Sequence, residues 1–331
     1  MRASRDGKIR TTFLHNPSTL RLASRGPNLQ NLPRPGKEGD LQSLIRNLII
    51  PEAGNIFGAR DFGGIEAVLV GYEAQSARVI RLAKMDLHSY YTAYALNQLD
   101  GRVSSNDLPH IDWDDEKLSR RLVEIKKEFK EDRNTLFKHL VHAIHFGQGP
   151  QGAQEKIYKE TNILHPIKKI AYVMNVYKEL FPEIPKWHNT IRLQAHNSKL
   201  LRNAYGYIHR FNAVYSYKRN PIGEWEKVLG DDAEAVLAFR PQSNAAGIMK
   251  DTLLRLFFDR FEEAGQYLRL TIHDEVFWEC PIDKLESVDA IVKQEMEKPI
   301  DVLPLPTSYN MGTHLSILTE GKSGFRWGDM H

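Results

Sequence analysis

The segment LTIHDEVFWEC, residues 270 to 280, sets His273, Asp274 and Glu275 between two stretches in which apolar and polar side chains alternate. Alternation at period two marks a half-buried strand, so the three residues fall where a predicted hairpin reverses. A polar hairpin tip is ordinarily just solvated, and an acidic tripeptide alone says no more than that. A second acid changes the reading. Asp61 ends the predicted strand of NIFGARDFGGIEAVLVGYEA (55 to 74), where the pattern turns helical. Two carboxylates at neighbouring strand ends can share divalent cations, and oxygen-only ligands favour Mg²⁺ or Mn²⁺. Spacing does not say that these strands are neighbours, since 213 residues separate Asp61 from Asp274.

A third candidate is helical. Lys138, His142 and Phe146 recur every four residues and so share one face. A cation, an imidazole and a ring in line can hold a triphosphate and a base at once; the plainer alternative is an ordinary exposed helix face. Arg133 lies five residues before Lys138, off that stripe by α-helical geometry, as a second phosphate contact.

These residues need a scaffold that mixes helix and strand. Residues 1 to 40 are rich in Pro, Asn, Gly and Arg and read as strands and loops. From about 75 to 200 the pattern is mainly helical, including DEKLSRRLVEIKKEFKEDRNTLFKHLVHAIHF. The polar interval at 217 to 232 reads as turns. After it comes SNAAGIMKDTLLRLFFDRFEEAG, where Ala245, Ile248, Met249, Leu253, Leu256 and Phe257 recur as a helical core face.

Composition bounds the classes. The 331 residues are 41% hydrophobic and 26% charged, enough to bury a sizeable core. The apolar runs are short and the amino terminus has no apolar stretch, which argues against a spanning helix or a signal peptide. Cys280 is the single cysteine, which excludes an internal disulfide and a cysteine-cluster zinc site. The net charge of +3 permits a nucleic-acid partner without demanding one.

Five blocks occur in a telling order: RLASRGPNLQNLPR (21 to 34), DFGGIE (61 to 66), KHLVHAIHFG (138 to 147), QSNAAGIMK (242 to 250) and HDE (273 to 275). This series resembles the family A DNA polymerases, the group of bacterial DNA polymerase I and its phage and mitochondrial relatives, from about residue 7 to 331. MDLHS (85 to 89), FPEIPKWH (181 to 188) and GFRWGDM (324 to 330) also look like family segments. The resemblance implies an α+β fold of the polymerase right-hand type, with an antiparallel palm sheet and mainly helical fingers. Palm is expected at 1–66, fingers at 67–200 and the second part of the palm, with the HDE hairpin, at 201–331. A divergent phage-type member is expected, working in the bacterial host cytoplasm.

The implied chemistry is attack of a primer 3′ hydroxyl on the α-phosphorus of a dNTP, assisted by two metal ions. Asp61 and Asp274 are the implied metal carboxylates, with Mg²⁺ as cofactor and Mn²⁺ as substitute, and Glu275 is an accessory acid. Lys138, His142, Phe146, Glu66, His88 and Arg133 are implied for the dNTP. Arg21, Asn28, Gln30, Asn31, Gln242 and His273 are implied for DNA. Donors of these types can test minor-groove acceptors common to every base pair without reading sequence, although amides such as Asn28 and Gln30 can instead satisfy loop backbone.

Departures from the family pattern are specific. Lys138 stands where the family usually has Arg, giving a point charge instead of a bidentate fork. His142 stands where it usually has Lys, and an imidazole as proton donor to pyrophosphate predicts an acid-shifted pH optimum. Glu66 should exclude a ribose 2′ hydroxyl, but its tyrosine partner is replaced by Pro150, which weakens or rebuilds that selection. Phe146 predicts poor use of dideoxynucleotides.

The resemblance begins inside the palm, so a thumb and an exonuclease domain are expected on a separate polypeptide, or the chain is a fragment. The polar intervals at about 99 to 118 and 217 to 232 look like insertions suited to docking such a partner. Primer–template DNA and dNTPs are the other expected partners, with no membrane. The alternatives are a single-subunit RNA polymerase-like enzyme, which Glu66 and HDE disfavour, and a non-catalytic DNA-binding subunit that keeps the fold.

Overall fold

Thr319–Gly324, Asn55–Phe62, Glu275–Pro281 and Leu268–Ile272 neighbour one another in that order and form an antiparallel sheet. In this computed structural model, residues 5–15, 19–32 and 44–330 are described. Pro33 and Arg34, which close the first quoted motif, and part of the 1–40 interval lie outside those residues.

The alternation read from residues 268 to 280 is the hairpin Leu268–Ile272 and Glu275–Pro281, closed by His273 and Asp274. Pairing then sorts the side chains. Phe57, Ala59, Leu270 and Phe277 bury on one face against Leu29, Trp327 and Met330. Ile56, Val276, Trp278 and Cys280 are buried on the other, where the helix Leu285–Met296 packs and Arg60 reaches Asp289 at 2.5 Å. Gly58 is required there because the fully buried Trp278 ring fills the space that a Cβ would take.

The chain divides into two compact units, one of residues up to Ile65 with Gln242 onward, the other of Glu66–Pro241. The second break falls at 241/242 instead of near residue 200. Leu201, Phe211, Val214, Val236 and Leu237 are buried in the core of the helical unit, which ties 201–241 to it. That core also holds the edge-to-face rings of Tyr91, Phe137 and Tyr177. Its helices start on local caps: Ser76, Asp86 and Asp114 each accept a backbone N–H of the first turn.

Three local readings change. The helix expected through 115–146 is broken: Asp115–Glu128 ends, and a π-helical turn, Arg133–Phe137, feeds Lys138–His145. The helix expected from 243 starts earlier, in Ala233–Phe258, and continues through Pro241; its Phe257 is half exposed, outside the core. The interval 217–232 is mostly a second hairpin, Tyr215–Arg219 with Trp225–Leu229, because its turn residues serve one tight reversal.

Candidate functional site

In the sheet unit, Asp61 stands directly opposite Glu275, and Phe62 N–H donates to the Asp274 carbonyl at 3.3 Å. The two strand ends separated by 213 residues are therefore adjacent. Opposed residues of a pair project to the same face, so Asp61 lies in a row with Glu275 on one side and Glu320 on the other. Asp61 and Asp274 are part-exposed, with Asp61 Oδ1 itself buried, and Glu275 lies deeper than either. It is 8% exposed, and Lys322 Nζ holds its carboxylate at 2.5 Å. The expected accessory acid is thus internally neutralised, by a lysine whose local sequence carries no signal of the role.

His273 takes a left-handed backbone (φ 58°) at the exposed hairpin tip, a conformation disfavoured for a residue with a Cβ. Asn28 and Asn31 are exposed, Arg21 and Gln242 partly so. Ser24 Oγ donates to Asn28 Oδ1 at 2.8 Å. Gln30 departs from the expectation. It is buried, and its Nε2 donates to the Thr271 carbonyl at 3.1 Å, tying its loop to the hairpin strand. Its amide nitrogen satisfies backbone, as loop amides can.

In the helical unit, the stripe is graded in exposure. Lys138 is exposed, His142 is part-exposed and Phe146 is buried in the core with its ring edge-on to His142 at 4.8 Å. His142 is bracketed: Nε2 lies 3.6 Å from Glu66 Oε2, and Lys156 Nζ lies 3.2 Å from Nδ1. An ammonium only donates, so Nδ1 accepts and the ring proton sits on Nε2, toward Glu66. Lys156 belongs to the helix Pro150–Thr161 and was not legible as a site residue. Pro150 is the first residue of that helix, a place where a missing N–H costs nothing.

Arg133 and His88 sit differently from expectation. Arg133 Nη2 donates to both Asp86 carboxylate oxygens at 2.9 and 3.0 Å, Nε to Ser89 Oγ at 3.0 Å and Nη1 to Asn134 Oδ1 at 2.9 Å, so its donors are used inside the fold. Burial raises the Asp86 carboxyl, and the pair with Arg133 outweighs it and leaves the pKa lowered. His88 Nδ1 is buried without a hydrogen-bond partner among the described residues. Burial, opposed by the Asp86 carboxylate, pushes the His88 pKa down to about 4. A ring neutral at pH 7 supplies no positive charge to a phosphate.

The donors at the acidic strand ends are all oxygen, which suits Mg²⁺ or Mn²⁺. Among the described residues no group of three or more His, Cys, Asp or Glu is arranged to hold a metal alone. An ion on Asp61 and Asp274 would complete its shell with oxygens from outside the chain, as Mg²⁺ does when it bridges carboxylates to substrate phosphates. Among the described residues no helix is long and apolar enough to cross a membrane.

The model of DNA polymerase family A matches residues 116–316. DNA polymerase I of Caldicellulosiruptor bescii is 26% identical over 329 residues, covering 97% of this chain and 32% of that protein. A thermostable DNA polymerase I of Thermus thermophilus is 24% identical over 316 residues, covering 93% and 32%. The chain thus spans about a third of the length of the curated relatives it matches. A solved structure of the polymerase domain of Pol1 from M. smegmatis, in complex with DNA primer-template and dNTP, aligns with 98% of this chain at a TM-score of 0.67 and 21% identity, covering 49% of that chain.

Proposed function

Because the chain belongs to DNA polymerase family A, we propose that it is a template-directed DNA polymerase core that adds dNTPs to a primer 3′ end. The adjacency of the Asp61 and Asp274 strand ends, marked by the 3.3 Å bond from Phe62 to Asp274, carries this reading. Asp61 and Asp274 would hold two Mg²⁺ ions, with Mn²⁺ as substitute, and such ions when bound stabilise the attacking and leaving oxygens of phosphoryl transfer. Glu275, tied to Lys322, holds the hairpin in place instead of entering the chemistry.

The helical unit supplies the charge and shape for the nucleotide. Lys138 presents an exposed ammonium, and Lys156 beside His142 adds a second cation next to an imidazole whose Nε2–H is a hydrogen-bond donor. Glu66 Oε2 lies 3.6 Å from His142 Nε2, and its side chain is the proposed bulk against a ribose 2′ hydroxyl. Phe146 backs His142 edge-on. Arg133 and His88 act by position: the Arg133–Asp86 pair fixes the start of the helix Leu87–Asp100. Arg21, Asn28, Asn31, Gln242 and His273 are the proposed DNA contacts, with Gln30 holding their loop. The palm and fingers assignments follow the two compact units. The proposed partners are primer–template DNA and dNTPs.

Primer extension with Mg²⁺, with and without candidate partner chains, tests the reading. Wild type should extend with dNTPs and Asp274→Ala should not, with unchanged circular dichroism. Extension with NTPs alone would favour the RNA polymerase alternative, and equal products from both proteins would overturn the proposal.

A further inference from the structure

The hairpin Tyr215–Arg219 with Trp225–Leu229 carries a surface that the polymerase reading does not use. Its register opposes Tyr215 to Leu229, Tyr217 to Lys227 and Arg219 to Trp225. Directly opposed and alternate residues share a face. One side of the ribbon therefore carries Tyr215, Tyr217, Arg219, Trp225, Lys227 and Leu229, and no acid. The paired charges of the other side, Lys218 and Glu226, stand opposite one another. Glu224 lies in the turn, where its backbone N–H donates to Asn220.

Two rings on this side are open, and two carry a cation. Tyr217 and Trp225 are 63% and 66% exposed. Arg219 lies over the Trp225 ring with Cζ 5.3 Å from its centroid, and Lys227 Nζ lies 3.9 Å from that of Tyr215. Tyr215 anchors the base of the hairpin, edge-on to His196 at 5.2 Å. Large aromatic faces in water are costly to expose without use, and here they alternate with positive charge along an extended backbone.

We infer that this face binds single-stranded nucleic acid. Unstacked bases offer π-faces to rings, and phosphates take the interleaved cations; this pairing binds single strands without reading sequence. A duplex hides its base faces, so it would gain only the electrostatic part. An acid-free cationic face matches a polyanion, whereas a polypeptide partner would call for a less charged centre. Single-strand binding here adds a site to the proposed activity and does not depend on it, because its test reads binding and not synthesis.

The test is fluorescence anisotropy of the whole chain with a fluorescein-labelled oligothymidylate and, separately, a blunt duplex. Combined Tyr217→Ala and Trp225→Ala should weaken oligothymidylate binding by about tenfold per ring and leave duplex binding nearly unchanged. Combined Arg219→Gln and Lys227→Gln should lower the slope of log affinity against log salt. Both pairs are exposed, so circular dichroism and Tm should match wild type. The inference is overturned if wild type fails to bind oligothymidylate, if the ring variant binds it as tightly as wild type, or if duplex binding falls in the same proportion. Loss of self-association or of a polypeptide partner, with oligothymidylate binding intact, also overturns it and assigns the face to protein docking.

Discussion

Lys322 Nζ lies 2.5 Å from the carboxylate of Glu275, the residue directly opposite Asp61. A buried acid is tolerable when its partner is present and costly when it is not, so the pair is best tested from the lysine side. Lys322→Ala should destabilise the fold by about 3 kcal/mol, with much of the loss recovered in Lys322→Ala combined with Glu275→Gln. Denaturant melts of the four proteins read the coupling. In primer extension, Glu275→Gln should retain far more activity than Asp274→Asn, and equal losses would return Glu275 to the reacting centre.

His142 and Lys156 give the second prediction. An ammonium and an imidazole held 3.2 Å apart in one unit make a site for a polyphosphate more than for its sugar or base. Lys156→Met should raise KM for dNTP by about tenfold while changing kcat less, and Lys156→Arg should restore most of it. Steady-state extension assays read both constants. An unchanged KM would leave Lys156 as a surface residue.

Buried histidines set the acid limit of stability. Burial pushes His88 and His188 down to about 4 and lowers His145 well below its ordinary value. His188 Nε2 bonds the His145 carbonyl at 3.0 Å, and His145 bonds Tyr177 at 2.6 Å, so each is placed as a neutral ring. The unfolded chain takes up these protons near pH 6.5, the folded chain only near 4. Stability is therefore complete above about pH 6.5, falls as pH drops toward 4, and has lost the full contribution below that. Thermal melts across this window should show Tm falling with pH, and His188→Gln should reduce the proton uptake on unfolding by about one. The same slope in the variant would mean that His188 does not titrate on unfolding.

Gly58 and Trp278 face each other across the central strands. Gly58→Ala should cost about 1–3 kcal/mol, because the methyl group would occupy ring space in a closed core. Gly58→Ala with Trp278→Phe should be less destabilised than the sum of the single changes. Strict additivity in urea melts would show that the two do not touch.

Much of the local structure was legible. Leu268, Leu270 and Ile272 announce by alternation a strand that runs into His273 and Asp274, and Lys138, His142 and Phe146 share a face by helical spacing. Where local rules compete, reading failed: Pro241 marks an end but is carried inside the helix Ala233–Phe258, and the π turn before Lys138 breaks a pattern that is continuous in residue types. Gln30 has the side chain of a groove reader, and only its neighbours show that the amide is spent on Thr271.

The amino-acid sequence by itself determined the element types, the single cysteine, the ordered motifs and hence the family. It could do so because periodicity and motif order are properties of short stretches of chain. Only the tertiary structure decided that the Asp61 strand lies beside the HDE hairpin, that Lys322 neutralises Glu275, and that Lys156 reaches His142. Those partners come from distant segments brought together by burial of apolar faces, and no local pattern records which faces will meet.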